Sequence, residues 1–342
     1  MSESKRPATL RSIAEELGLH VSTVSRILNG TVPTGARAAS SSTAERVRRR
    51  ADELGYRPDP HATGLRTRRS NLIGVLVPRL SDLVLATIHE GVEEAATAHG
   101  LATIAVNTLD RPEARRRRTE TLLARRTDGL IFGDARSDDA FLAELAAEGT
   151  PFVLVNRHSA DHPAVTCDDR LGGRLAADHL LGLGHREIGI IAGEPFASTA
   201  TDRVAGFLER CAEDGVPVPD GRIARSGFDT HAGREAAERL LVGESPPTAL
   251  FAVNDFAAIG AMGAARDRGL RVGRDIAIMG YNDTALAAEL PVPLTSVDSS
   301  PSEMGRRALE LLVGLLAGEK PVSERLRPVL TARASTACRP RR

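Results

Sequence analysis

Hydrophobic positions in the first 55 residues repeat with the period of a helix, whereas from about residue 71 short apolar runs alternate with helical stripes. Leu10, Ile13, Ala14 and Leu17 fall at i, i+3, i+4 and i+7, giving one apolar stripe on a short helix that Thr9 can cap and Gly18 stops. A second helix is expected from Ser22, whose hydroxyl suits an N-cap. It turns Val24, Ile27 and Leu28 inward and Thr23 and Arg26 outward, and Asn29-Gly30 closes it. Ser42-Thr43-Ala44-Glu45 reads as the capping box of a third helix, with Ala44, Val47, Ala51 and Leu54 on one face and Gly55 at its end. Two short helices joined at Gly18-Leu19 have the form of a helix-turn-helix, and the same periodicity fits a small helical bundle with no role in DNA binding equally well.

In the second part, buried strands are expected at residues 72–78, 102–107, 129–133, 151–156, 187–192, 249–253 and 275–280, and an amphipathic helix at 85–100. Most of these runs are separated by helix-length segments. That alternation predicts parallel, doubly wound α/β sheets, and the chain is too long for one of them, so two lobes are expected with a ligand at the carboxyl ends of the strands.

Composition narrows the possibilities. A hydrophobic content of 42% over 342 residues belongs to a globular protein rather than a disordered or fibrous one. No apolar run reaches 18 residues and residues 1–9 are polar and charged, so no membrane span and a cytoplasmic location are expected. Cys167, Cys211 and Cys338 lie far apart, without zinc-site spacing, and are expected to be reduced thiols. The nine histidines form no HExxH, and no GxSxG or glycine-rich phosphate loop follows a strand. Neither a metal, a cofactor nor an enzymatic activity is therefore expected. The run Arg115 to Arg118 falls in a body helix and reads as a solvated face. The zero net charge conceals an asymmetry: residues 1–70 carry 13 Lys+Arg against 7 Asp+Glu, the remainder 32 against 38. A basic segment on an acidic body suits a polyanion such as DNA.

The residue strings decide between the helical readings. "TLRSIAEELGLHVSTVSRILNG" followed by "STAERVRRRADELGYRPDPHATGLRT" resembles the headpiece and hinge of the LacI/GalR family, and the resemblance continues through "HLLGLGHREIGIIAG", "DRVAGF", "VNDFAAIGAM" and "IMGYNDTALA" across nearly the whole chain. It implies an all-α helix-turn-helix headpiece (1–58), a hinge helix (59–70), a two-lobed periplasmic-binding-protein-like α/β domain (71–334) and a short tail (335–342). The N-lobe would comprise 71–167 and 299–326, the C-lobe 168–298 and 327–334, with crossovers near Asp168, Asp298 and Arg327. Residue by residue, it places Val21, Ser22 and Arg26 against base edges, with Arg26 able to grip guanine O6 and N7. Thr9, Thr23, Ser25 and Asn29 fall at backbone-contacting positions, and Ala62 and Leu65 at the minor-groove hinge, where the leucine wedges between base steps. The segment "TVPTGARAASSS" after Gly30 is longer than the family's usual turn.

In the body, the resemblance implies an effector in the cleft, a sugar or sugar derivative. Asp82, Asn156, Arg157, Arg203, Asn254, Asp255 and Asn282 follow strand ends and are expected to point into it. Arg203 matches an effector-contacting arginine whose planar fork holds two hydroxyls or a carboxylate, and Phe228 matches an aromatic that packs on the effector. The alternative for Arg203 is a helix-surface ion pair. Asn282 stands where the family often has aspartate. Without leucine heptads at the C-terminus, a homodimer on a palindromic operator is expected, the effector controlling repression. A solute-binding receptor and an α/β enzyme acting on a sugar-like ligand are the competing functions; the former conflicts with the headpiece, the latter with the missing catalytic constellation.

Overall fold

The computed structural model describes residues 8–28, 40–56, 69–137 and 139–337. Asn29, Ala62, Leu65 and most of the long turn lie outside the described residues. Contacts divide the chain into two units, Met1–Ser70 and Asn71–Arg342.

The first unit contains helices α1 (Leu10–Leu17), α2 (Val21–Leu28) and α3 (Ser41–Glu53). Thr9 caps α1 reciprocally: its hydroxyl accepts from Ser12 N at 3.1 Å, and its own N–H donates to Ser12 Oγ at 2.9 Å. Gly18 then takes the left-handed conformation (φ 62°) that ends α1 and turns the chain into α2. Two expected caps are displaced. The first helical bonds of α2 go to the carbonyl of His20, from Thr23 N and Val24 N, so Ser22 sits in the first turn with its hydroxyl 2.8 Å from the His20 ring. For α3 the cap is Ser40, whose hydroxyl accepts from Thr43 N at 3.2 Å, two residues before the expected Ser42. Ile13, Ala14, Val24, Val47 and Ala51 form the buried core, ringed by Leu10, Leu17, Leu19, Ile27, Leu28, Leu54 and Tyr56.

The second unit consists of two lobes. One sheet is built from β1 (Leu72–Val77), β2 (Ala102–Asn107), β3 (Gly129–Phe132), β4 (Phe152–Val155), β5 (Ala164–Cys167) and β11 (Glu324–Leu326). Its order is β11-β5-β4-β3-β1-β2 with every pairing parallel. Helices α4 (Leu83–Ala98), α5 (Pro112–Ala124), α6 (Ala140–Ala147) and α12 (Pro301–Leu316) belong to this N-lobe. The second sheet runs β7-β6-β8-β9, again all parallel, from β6 (Ile188–Ile191), β7 (Ile223–Ala224), β8 (Ala249–Ala252) and β9 (Ala277–Met279). Around it lie α7 (Asp169–Gly182), α8 (Ser198–Glu213), α9 (Thr230–Leu240), α10 (Asp255–Asp267) and the short α11 (Ala285–Glu289). An antiparallel pair, β10 (Ser296–Asp298) with β12 (Val329–Thr331), completes this C-lobe.

The chain passes between lobes three times: from β5 into α7 at Asp168, from β10 into α12, and from β11 into β12. Two of these passages are tied together, Asp168 N donating to Leu326 O at 2.8 Å. Glycine allows two helix pairs to touch backbone to backbone. A β-carbon on Gly173 or Gly206 would run into the carbonyl of Arg203 or Arg170 across the α7–α8 contact, and Gly91 and Gly305 do the same for α4 and α12. The α7–α8 contact sets Arg203 beside Asp169.

One expectation about the body is overturned. The arginine run on α5 is not simply a solvated face: Arg115 is 3% exposed, ion-paired with Asp139, and donates from Nη1 to the Asp134 carbonyl. Arg116 pairs with Glu144 at 2.7 Å and lies 4.5 Å from the Phe141 ring centre, while Arg117 and Arg118 remain exposed. Burial pushes the Asp134 carboxyl up to about 6, against the pull of Arg115 and a 2.5 Å hydrogen bond from Thr108.

Candidate effector cleft and nucleic-acid interface

Because every strand in both sheets of the body is parallel to its neighbours, the loops leaving their carboxyl ends gather at one edge of each sheet, and the two edges face each other. Between them is a cavity of about 570 Å³, within the roughly 300–1,000 Å³ usual for small-molecule sites. Seven of the eight residues expected there line it: Asp82, Asn156, Arg157, Arg203, Phe228, Asn254 and Asn282. Asp255 does not. It is the first residue of α10, rotated about 100° from its neighbour by the helix, and its buried carboxylate accepts from Ser296 Oγ (2.6 Å), Thr284 N (2.7 Å) and Thr284 Oγ1 (2.9 Å). Burial raises that carboxyl to about 6 despite these donors. Its role is to anchor the α10 and α11 ends, and Asn254 occupies the cleft position.

The N-lobe contributes the loops after β1, β2 and β4. Asp82 caps α4, accepting from Val84 N at 3.0 Å; burial raises its pKa, while the Val84 hydrogen bond and then the charges of Arg157 and Arg203 act the other way. Asn156 leaves β4 with φ 67°, a left-handed turn that asparagine tolerates and that aims the next side chain across the cleft. Arg157 is 5% exposed and grips Asp110 with both terminal nitrogens, at 2.7 and 3.3 Å. Its guanidinium lies 5.7 and 5.5 Å from the ring centres of Phe196 and Phe228 in the other lobe, and its buried Nε has no partner.

In the C-lobe, Arg203 is 3% exposed, so the helix-surface ion pair considered for it does not exist. It donates from Nε to Asp169 and from Nη1 to the Val253 carbonyl, both at 2.7 Å, and its guanidinium carbon stands 3.8 Å from the centre of the Tyr281 ring. Asn254 caps α10 through Oδ1, accepting from Ala257 N at 2.9 Å, and donates from Nδ2 to the Phe228 carbonyl at 2.7 Å, fixing that phenylalanine's loop. Asn282, at φ 98°, accepts from Ser299 Oγ at 3.2 Å. The sequence reading missed Asp110, Glu194, Phe196, Thr199 and Phe256, which also line the cavity. Asp110 follows β2 and obeys the same strand-end rule that found the others. Phe196 and Phe256 follow β6 and β8, and in a chain with only eight phenylalanines that placement was a usable signal.

In the headpiece, the three residues expected to read bases share one stretch of α2. Val21 is 38% exposed, Ser22 is exposed, and Arg26 stands four residues beyond Ser22 on the same face. Arg26 folds back on its own helix, Nε donating to Ser22 O at 3.1 Å and Nη2 to Thr23 Oγ1 at 3.5 Å. Thr9 is occupied as a cap, Thr23 and Ser25 are half-buried, and Asn29, Ala62 and Leu65 lie outside the described residues.

Among the described residues no cluster of three or more His, Cys, Asp or Glu could hold a metal ion, and no helix is long and apolar enough to cross a membrane.

Residues 177–336 match the periplasmic binding protein-like domain. The HTH-type transcriptional regulator DegA of Bacillus subtilis (strain 168) is 31% identical over 335 residues, which cover 96% of this chain and 98% of that protein. Among solved structures, the lac repressor dimer bound to operator and the anti-inducer ONPF is similar with a TM-score of 0.87 at 28% identity, covering 97% of this chain and 100% of that one. The complex of the transcriptional regulator CelR with cellobiose is similar with a TM-score of 0.73 at 28% identity, covering 96% and 99%.

Proposed function

The chain belongs to the LacI/GalR family of helix-turn-helix transcriptional regulators, and from that premise we propose that it is a sequence-specific repressor whose grip on its operator is set by a sugar or sugar derivative bound between the lobes. The observation that carries this reading is the presence, in one chain similar over 97% of its length to an operator-bound repressor, of both an α2 face with Val21 and Ser22 exposed and Arg26 half-buried beside them and a cavity between parallel sheets. Its place of action is the cytoplasm, and its partner is a second copy of itself, since one recognition helix reads too few bases and a two-fold pair reads a palindrome.

Recognition divides between parts of α2. Arg26 supplies the bidentate donor that guanine O6 and N7 accept, and Val21 the apolar contact suited to a thymine methyl. Thr9, Thr23, Ser25 and Asn29 set register on the phosphates, and Ala62 and Leu65 enter the minor groove. In the body, Arg203, Asn254 and Asn282 face the effector from the C-lobe and Asp82, Asn156 and Arg157 from the N-lobe. An effector touching both lobes favours one lobe arrangement over another and so shifts the population of the DNA-competent dimer. Inducer-released repression is the direction we assign.

The test is selection of duplexes from a random pool by the purified full-length protein, in parallel with an Arg26→Ala, Leu65→Ala double variant. Enrichment of a palindrome that the variant fails to hold supports the reading. No enrichment at moderate salt, with or without added sugars, rejects it.

A further inference from the structure

We infer that the cleft takes an uncharged polyhydroxylated ring, a neutral sugar or glycoside, and excludes phosphorylated and carboxylated sugars; this rests on the effector-binding reading above and decides which kind of effector the site accepts. The arginine fork at Arg203 is compatible with hydroxyls or with a carboxylate when read from sequence alone. The charges packed around it remove that ambiguity.

A site built for an anion keeps a cation or a set of helix N-terminal N–H groups unoccupied for it. Here both buried cations already have carboxylates. Arg157 is held bidentately by Asp110 at 2.7 and 3.3 Å, and Arg203 is held by Asp169 at 2.7 Å with a second nitrogen on the Val253 carbonyl. Each pair is electrically neutral, so what remains for a ligand is N–H direction rather than net charge. Arg157 Nε is buried without a partner, a single donor that a hydroxyl or ring oxygen can satisfy.

The helix starts that face the cavity are closed to anions as well. Asp82 caps α4 and Asp229 caps α9, placing a carboxylate where an anionic ligand would have to bind, and the Asn254 amide caps α10. Helix α8 has Ala197 at its N-cap and so no side-chain cap, but three residues before Ala197 Glu194 lines the same cavity and makes no ion pair among the described residues. The one lining cation without a carboxylate partner among the described residues is Arg79, which is exposed to solvent. Counting Asp169 behind Arg203 and Arg136 stacked 4.0 Å from the ring centre of the lining Phe196, five carboxylates stand against four guanidinium groups. A phosphate or carboxylate entering this field meets like charge in a partly desolvated space and is repelled.

The apolar part of the lining fits the same ligand class. Phe196, Phe228 and Phe256 add apolar lining, suited to the C–H groups of a sugar ring, while the amides of Asn156 and Asn282 can donate to or accept from hydroxyls as each requires.

The closing experiment is calorimetric titration of the full-length protein with glucose, galactose, cellobiose and lactose, each sugar class set against glucose 6-phosphate, galactose 6-phosphate, glucuronate and galacturonate. The expected result is that at least one neutral sugar binds on the order of 100-fold more tightly than its phosphate or uronate, tenfold for each 1.4 kcal/mol of repulsion. A charged sugar that binds as tightly as its neutral parent, or more tightly, overturns the inference while leaving the sugar-effector reading intact. If no sugar of either kind binds, the sugar-effector reading itself fails and takes the inference with it. In Asp110→Asn, the Arg157 charge is released, and the discrimination is expected to shrink about tenfold; undiminished discrimination in that variant removes the neutralised Arg157 from the explanation.

Discussion

Arg203 Nε lies 2.7 Å from Asp169 Oδ1, with the two side chains 4% and 5% exposed. Each therefore offsets most of the cost of burying the other, and the Tyr281 ring seals the guanidinium from one side. Truncating either residue alone leaves an uncompensated buried charge, a loss of about 3–5 kcal/mol. Arg203→Ala and Asp169→Ala are each expected to lower the unfolding free energy measured in urea by that scale, and the double variant by clearly less than the sum of the two. Additive losses in the cycle would show that the pair is not coupled.

A pair that joins the two lobes is sensitive to pH. His158 follows β4 in the N-lobe, and its Nε2 lies 2.8 Å from Asp202 Oδ2 on α8, while its backbone N–H donates to Ser198 Oγ at 2.9 Å. The Asp202 hydrogen bond raises the imidazole pKa above its ordinary 6.5; burial opposes it, as does the charge of Arg325, and the charges of Asp202 and Asp169 assist. A raised pKa means stabilisation that is complete below about pH 6.5 and is lost as pH rises through the folded value. The imidazole is 44% exposed, so the contribution is screened to about 0.5 kcal/mol. An NMR titration should place the His158 pKa lower in Asp202→Asn than in the parent, with the acid-side gain in stability reduced; an unchanged titration would detach His158 from Asp202.

The backbone contact between α7 and α8 should tolerate no β-carbon. In Gly206→Ala the new methyl meets the carbonyl of Arg170, and relief requires the helices to separate, at about 1–3 kcal/mol. Because Arg203 precedes Gly206 by one turn, the separation also moves the guanidinium relative to Asp169. Gly182→Ala serves as the control, since nothing stands within 4 Å of that position and alanine is the better helix former. Thermal denaturation should rank Gly206→Ala below the parent and Gly182→Ala at or above it; equal midpoints for the two variants would contradict the contact.

What the sequence disclosed follows from the range over which each feature is determined. Apolar runs such as "LIGVLV" mark a strand buried on both faces by their own residues, and the cleft positions follow because parallel strands all end at one edge. The three-residue strand at Glu324–Leu326 carries no such run. Glu324–Leu326 is a strand because it pairs in register with Val165, Thr166 and Cys167, some 160 positions away, and "ERL" alone does not announce that. Arg115 illustrates the same limit for charge: a run of arginines describes a surface until the fold brings Asp134 and Asp139 against one of them. Asp255 failed for a local reason, since counting residues past a strand end ignores the helix rotation that begins there. The caps at His20 and Ser40 were missed because several neighbouring polar residues can each accept a helical N–H, and the choice among them depends on where the core pulls the first turn.

Residues proposed to choose a DNA sequence and residues proposed only to hold DNA should respond differently to substitution. Arg26 Nη1 makes no hydrogen bond among the described residues, while Nε and Nη2 donate only to partners on the same helix, Ser22 O at 3.1 Å and Thr23 Oγ1 at 3.5 Å. Arg26→Ala is therefore expected to weaken operator binding by about 1–3 kcal/mol and to relax the preference at one base pair in each half-site. Thr23→Val, which removes the hydroxyl proposed to set register on the phosphates, should weaken all duplexes alike and leave the selected palindrome unchanged. Selection followed by titration at fixed salt distinguishes the two, since affinity for unspecific DNA falls with salt and would otherwise mask the comparison. A palindrome whose composition survives Arg26→Ala would transfer base reading to other residues of α2, whereas loss of one conserved position per half-site assigns it to Arg26.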